Sequence, residues 1–488
     1  MHGYERHPSR VSESRRKPST TNESAHQPNG TNETEPRPNT SDRLTVVDEI
    51  FLRTHRGYGI PIALQGLWRT ADRVDRDLLE AVHAALRAGP LGRRVVRPSV
   101  PGARRRWQSS TRAHPLEYGD QVIPVSGLLD WAETTGDDLD PEFGPGWRLA
   151  AVPLDDGGSV VSLTCSHVLA DGRALAIAVD DALRVAANGD RSRVRADHLR
   201  PTSDWADARR QWTTVLGGTA RAALDGIPHG LPDKILRKLS DTSPRATAPR
   251  PMNQSASKPS SQRSGPSTRE HSSARKITNH AAVVQIPVDA WNLTAQEHGS
   301  TPNSLFIWTI ARILWDAGFP EPRIEASLPV DTRAEPRVNN DLAVTSVTLT
   351  RTDTPATIRE KSRAAYEYRM TSPAGLPEEI LQVIPDRLAA TLSAGAGERD
   401  ILCSNIGQLP LTLNNLGPHH CTGVAARAIH PGLTTLPRTR LSAYLCTTGS
   451  LHTLALTALD HTHFPTPYEL HKHLKSATAL LSLPTHFW

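Results

Sequence analysis

Apolar residues recur at Leu78, Leu79, Val82, Ala85 and Leu86 within VDRDLLEAVHAALRAGP, a spacing that puts them on one face of a helix ending at Gly89-Pro90. Further on the period changes. GWRLAAVPL and SVVSLTCSH read as two strands joined by Asp-Asp-Gly-Gly, a strong hairpin signal. In the second strand Val161, Leu163, Cys165 and His167 share one parity, so a histidine closes an apolar row. Asp171 then stands as an N-cap for RALAIAVDDALRVAAN, with Leu175, Ala178, Val179, Ala182 and Ala186 as its buried stripe.

The second half of the chain repeats the mixture. AAVVQIPVD, RIEASLPVD, AVTSVTLT, LSAYLCTT and LHTLALTALD read as strands, and TPNSLFIWTIARILWDAG reads as an almost wholly apolar core helix with Thr301 as cap and Pro302 at its first position. The pattern predicts a pair of mixed α/β halves, each a sheet with packed helices; it does not give the strand order. Two stretches carry no periodicity. Residues 1–43 contain a crude tandem decapeptide, TNESAHQPNG then TNETEPRPNT, and residues 240–276 are rich in Ser, Pro and Arg. Neither can bury enough apolar surface to offset the entropy of ordering. The first is expected to be a disordered tail and the second a linker between an N-terminal lobe over 44–239 and a C-terminal lobe over 277–488.

Composition narrows the function classes. A chain of 488 residues exceeds one core of usual size, which favours two domains. A surplus of 56 basic over 51 acidic residues, with no basic stripe interleaved with aromatics, gives no case for nucleic acid. There is no run of about 18 apolar residues and no apolar leader, so no transmembrane segment or signal peptide is expected. The four cysteines show no metal spacing, and the expectation is a reduced cytoplasmic protein. LDHTHFPTPYELHKH near the C-terminus lacks the ligand set a metal needs and reads as a polar connection; the expectation is no metal. ARRRW, residues 103–107, reads as a solvated loop or a contact for a phosphorylated carrier.

The candidate chemistry sits at His167-Val-Leu-Ala-Asp171-Gly172. Taken alone, the stretch has two readings: strand-to-helix punctuation with an incidental histidine, or a base held beside a reacting group. A histidine of ordinary pKa can take a proton from a hydroxyl or amine at neutral pH, contributing on the order of 10²–10⁴ in rate. Asp171 either orients that ring or turns away into an ion pair that fixes the loop. Gly172 allows close approach of substrate or backbone. The sequence has no G-x-S-x-G elbow, which favours direct transfer without a covalent intermediate.

A strand ending in HxxxDG about a third of the way along such a chain resembles the chloramphenicol-acetyltransferase-like superfamily: condensation domains of nonribosomal peptide synthetases, polyketide-associated acyltransferases and wax ester synthases. LQGLWRTADRVDRDLLEAVHAALRAGP is similar to the first helix of those proteins, SLPVDTR (327–333) to their PVxxR-type segment, and CSNIGQLP (403–410) to their S-N-x-G segment. The resemblance implies two similar mixed-sheet lobes with the active site between them and His167 as general base. It also implies that Asp171 and Gly172 are structural, that Arg333 partners the acid, and that Ser404 and Asn405 lie near a developing oxyanion. It implies acyl transfer from a thioester, acyl-coenzyme A or a phosphopantetheinyl acyl carrier, to a hydroxyl or amine. No tightly bound cofactor is implied. The alternatives are amide-forming condensation on carrier-bound substrates and a catalytically silent two-lobed binding protein. Ser166 stands where many relatives have a first histidine, and no DFGWG-type segment is present.

Overall fold

The computed structural model describes residues 42–57, 61–188, 202–224, 279–367, 379–383, 398–433 and 436–488. The expected linker and nearly all of the expected tail lie outside them. The first elements are α1 (Val46–Gly57), β1 (Ala63–Thr70), α2 (Arg76–Ala88), β2 (Arg93–Val96), β3 (Arg106–Ser109), β4 (Glu117–Tyr118), α3 (Leu128–Thr134), β5 (Trp147–Pro153), β6 (Ser159–Ser166), α4 (Gly172–Asn188) and α5 (Asp204–Leu224). There follow β7 (His280–Pro287), α6 (Val288–Glu297), α7 (Pro302–Asp316), β8 (Arg323–Asp331), β9 (Leu342–Thr350), α8 (Pro355–Glu367) and α9 (Ile380–Val383). The last are β10 (Ile401–Gln408), β11 (Asn415–Leu416), β12 (His419–Ile429), β13 (Leu441–Thr448), β14 (Leu451–Ala458), α10 (Pro467–Leu480) and β15 (His486–Phe487).

These strands build a six-stranded sheet, β11-β12-β1-β6-β5-β4, and a seven-stranded sheet, β15-β7-β14-β13-β10-β8-β9, with β2-β3 as a separate ribbon. The predicted hairpin is β5–β6, with Leu149 opposite Leu163 and Gly157 at φ 90° in its turn. Helices α2 and α4 pack together through the stripes read from the sequence, over Leu79, Val82, Ala85, Leu175, Ala178 and Val179. Helix α7 is buried nearly all round, from Leu305 to Leu314, and its Thr301 cap accepts from the Ser304 N–H at 3.1 Å. Each fully buried Leu, Ile or Phe in such a core contributes roughly 1.5–3 kcal/mol.

Three expectations change. The stretch matched to a first helix begins instead as the strand β1, because Leu64, Leu67 and Trp68 are buried between β6 and β12; the helix starts only at Arg76. Asp42 and Arg43, assigned to the tail, are buried: Arg43 Nε donates to Thr202 Oγ1 at 2.8 Å, and its guanidinium pairs with Asp204 at 2.7 Å. Arg104 and Arg105 of ARRRW are not in a solvated loop. Arg104 pairs with Asp207 at 2.7 Å and Arg105 with Glu49 at 2.6 Å, so their charge is spent inside the fold.

Strand membership also crosses the halves. β12, from the second half, runs antiparallel to β1 from Ala63–Ile429 to Arg69–Gly423 and completes the first sheet. Its register is fixed by a buried polar network. Arg427, 1% exposed, donates Nε to Gln65 Oε1 at 2.7 Å, and Gln65 Nε2 donates to Ala132 O at 2.7 Å and Thr164 Oγ1 at 3.0 Å. A slip of one residue would turn Arg427 to the opposite face and leave these groups unpaired.

Candidate active site at the seam between the sheets

His167 follows the last residue of β6. Its N–H donates to Ile62 O at 3.0 Å, and the Leu169 N–H turns back to Ser166 O at 2.9 Å, so the motif leaves the strand in a tight turn. Asp171 then does two jobs at once. One carboxylate oxygen caps α4 by accepting the Ala174 N–H at 2.8 Å; the other accepts Arg333 Nη2 at 2.5 Å and the Asp341 N–H at 3.0 Å. Asp171 is 5% exposed. Of the two roles open to it, the structure therefore places it in the ion pair, with Arg333, and not in a hydrogen bond to the imidazole.

The segment between β8 and β9 wraps the motif. Asn340 Nδ2 donates to the carbonyls of His167 at 2.9 Å and Val168 at 3.0 Å, and to Asp48 Oδ1 at 2.9 Å. Arg93 Nη2 donates to Leu169 O at 2.6 Å and Val338 O at 2.9 Å, with its guanidinium 4.1 Å above the Trp107 ring. Three successive carbonyls of the turn are thus held by side chains. Asn340, Arg93 and Asp48 escaped the sequence reading. The Asn-Asn-Asp run at 339–341 looks like ordinary turn chemistry, and nothing in its spacing points 170 positions back to the motif.

The imidazole itself lies flat against Phe51 of α1, with centroids 3.7 Å apart and planes 18° apart. Its Nδ1 is buried with no hydrogen-bond partner. Burial holds the His167 pKa below the ordinary histidine value; its own carbonyl, the Asp171 charge and Asn340 act the other way. A second histidine, His430, follows β12 and is pushed down to about 4, by burial first and by nearness to His167 as well. Asp48 is pushed up to about 6 by burial, against the hydrogen bonds from Asn340 and Thr45. Burial raises the Cys165 thiol to about 12, which removes the nearest sulfur as a nucleophile at neutral pH.

The strands of the second sheet part at this point. β8 and β10 pair only at Ala326–Ile401 and Ser327–Leu402, and each then leads to a different side of the motif. β8 leads to Arg333 on Asp171. β10 leads to Ile406, whose terminal carbon lies 3.1 Å from where a Cβ on Gly172 would stand. A side chain at Gly172 would make Ile406 give way by a few tenths of an ångström, so the glycine suits this close approach. The two residues expected near an oxyanion also part. Ser404 shares its face of β10 with Leu402 and Ile406, which pack against the core of the first sheet. Asn405 takes the opposite face, is exposed, and donates Nδ2 to Asn303 Oδ1 at 3.0 Å near the start of α7. The C-terminal histidines are held locally: His463 Nδ1 meets Asp460 Oδ2 at 2.7 Å, and His461 stacks on His280. Among the described residues no helix is long and apolar enough to cross a membrane.

No family model matches the chain, and no curated protein matches it. Solved structures do. The condensation domain from the Monacolin K polyketide synthase MokA is similar over 90% of this chain and 96% of its own, at 14% identity and TM-score 0.53. The first condensation domain of the CDA synthetase is similar over 90% and 94%, at 13% identity and TM-score 0.53. The first condensation domain of the calcium-dependent antibiotic synthetase, in complex with substrate analogue 3a, is similar over 91% and 95%, at 13% identity and TM-score 0.54. The chain has the mixed α/β, two-sheet fold of these condensation domains.

Proposed function

We propose that the protein is an acyl-transferring enzyme of the condensation-domain kind, moving an acyl group from a thioester to an amine or hydroxyl with His167 as general base. The observation that carries the reading is the clasp on the motif: Asp171 is fully engaged by Arg333, the Asp341 N–H and the start of α4, and the turn carbonyls are held by Asn340 and Arg93. Such a clasp holds a ring in one place, which is what a base needs. With the ring proton on the buried Nδ1, Nε2 takes the proton of the acceptor. The acceptor attacks the thioester carbonyl, the carbon–sulfur bond breaks, and the imidazolium returns the proton to the departing thiolate. In this reading Ser404, which shares its strand face with Leu402, stabilises the oxyanion.

Phe51 does not oppose this reading. It covers a face of the ring, whereas the lone pair on Nε2 lies in the ring plane. The fold favours a carrier-bound acyl donor over acyl-coenzyme A; in either case the thioester is a co-substrate. The two lobes would be the halves on either side of the 240–276 linker, and the buried free cysteines suit a cytoplasmic enzyme. Thiol release from acyl-coenzyme A and carrier-loaded donors, with pooled amines and alcohols, tests the proposal. Acceptor-dependent release should fall by about 10² or more in a folded His167→Ala variant. Release that the substitution leaves unchanged removes His167 from the mechanism, and a chain silent toward every donor, carrier-loaded ones included, favours the binding-protein alternative.

A further inference from the structure

Two arginines that join the two halves end on carboxylates: Arg333 on Asp171 and Arg427 on Glu133. Arg173, the residue after Gly172, does not. It crosses the seam and donates Nη1 to the carbonyls of Gln408 and, at 3.5 Å, Ile406. These carbonyls are the ones that the parting of β8 from β10 leaves without a strand. The Leu409 N–H donates to Thr447 O on β13 at 2.9 Å, so Gln408 O, on the other side of the same peptide, points away from β13 toward the opened edge. Among the described residues Arg173 makes no ion pair. Among the described residues only its Nη1 is engaged, by neutral carbonyls, so the guanidinium keeps donors to spare and has no carboxylate paired with it.

We propose that Arg173 recognises the carboxylate of the acyl acceptor, so that the acceptor is a free amino acid or hydroxy acid. The inference rests on the acyl-transfer reading and deepens it. A guanidinium offers a planar fork that matches a carboxylate, and one fixed cation balances one negative charge. A phosphate monoester, near two negative charges at neutral pH, calls for more. The cation stands six residues after His167 in the chain, at the start of the helix that the motif begins. An acceptor tied to a carrier through its own carboxyl would lack the group that Arg173 takes.

The test is binding to the purified full chain by calorimetry, using β-alanine, phenylalanine and 3-hydroxybutyrate, each against its primary amide, and phosphopantetheine against pantetheine. At least one acid should bind about tenfold or more tightly than its amide, a difference of about 1.4 kcal/mol. Arg173→Met should abolish that difference, and Arg173→Lys, which keeps the charge without the fork, should retain part of it. Equal binding of acids and amides, or discrimination that survives in a folded Arg173→Met protein, overturns the proposal. Discrimination confined to phosphopantetheine also overturns it and reassigns the cation to the donor arm. His167→Ala separates the two claims: thiol release is lost while the acid-over-amide preference remains.

Discussion

Two regions bind the halves together, and they do so by different means. β12 enters the first sheet as a full antiparallel ladder along β1, with Arg427 and Gln65 buried beneath it. The 333–341 segment holds the HxxxDG turn with no strand ladder, through the side chains of Arg333 and Asn340 and the Asp341 N–H, helped by Arg93. A ladder spreads its bonds over many residues, so one loss shifts little. A clasp concentrates them on a single turn, so one loss both destabilises and misplaces the ring it carries. Damage to the ladder should lower stability with little effect on turnover per folded molecule, and damage to the clasp should lower both.

The sharpest break is Asp171→Ala, which removes the α4 cap and takes from buried Arg333 its buried carboxylate, leaving only the half-exposed Asp331 beside it. It should cost about 3–5 kcal/mol in denaturant unfolding and, under conditions where the protein still folds, lower the rate of acyl transfer. Asp48 ties the clasp to pH. Its folded pKa of about 6 lies above the ordinary carboxylate value of 3.8, so the unfolded chain releases this proton first. Its contribution is therefore greatest at or below about pH 4, declines as pH rises through 4 to 6, and is level above, a total of about 3 kcal/mol. Asp48→Asn should remove that slope from melting temperatures measured across the range; a slope that persists would assign it elsewhere. Arg427→Met tests the ladder. It strands Gln65 Oε1 without its donor and should cost about 1–3 kcal/mol in unfolding while leaving turnover per folded molecule near that of the wild type.

How far the sequence foretold this depends on whether a feature is local. The α2 and α4 stripes, the β5–β6 hairpin and the capped core helix α7 depend on neighbours in the chain, and their periods showed. Arg333 opposite Asp171 was reached only through the resemblance. β1 was hidden because LQGLWRT carries a glycine and polar Gln65 at buried positions, so no alternation announces a strand. β12 was hidden for a related reason: Arg427 and the small residues around it look like surface until Gln65 supplies a partner. Asn340, Phe51 and His430 are single residues placed by tertiary structure, and no spacing rule reaches them. Ser404 and Asn405, named together from the resemblance, part because the strand pleat sends consecutive residues to opposite faces.

The crossing of β12 into the first sheet has a consequence for how the protein is made. Arg427 and Gln65 are 362 positions apart, so β1 is synthesised long before the strand that covers its edge. Until the ribosome has passed Ile429, the nascent first half carries an open strand edge beside an incomplete buried polar network. That is the period in which edge-to-edge pairing with another chain competes with correct folding. A molecule cut short anywhere between Gly172 and β12 would keep the whole HxxxDG sequence and still have neither a closed sheet nor a completed site.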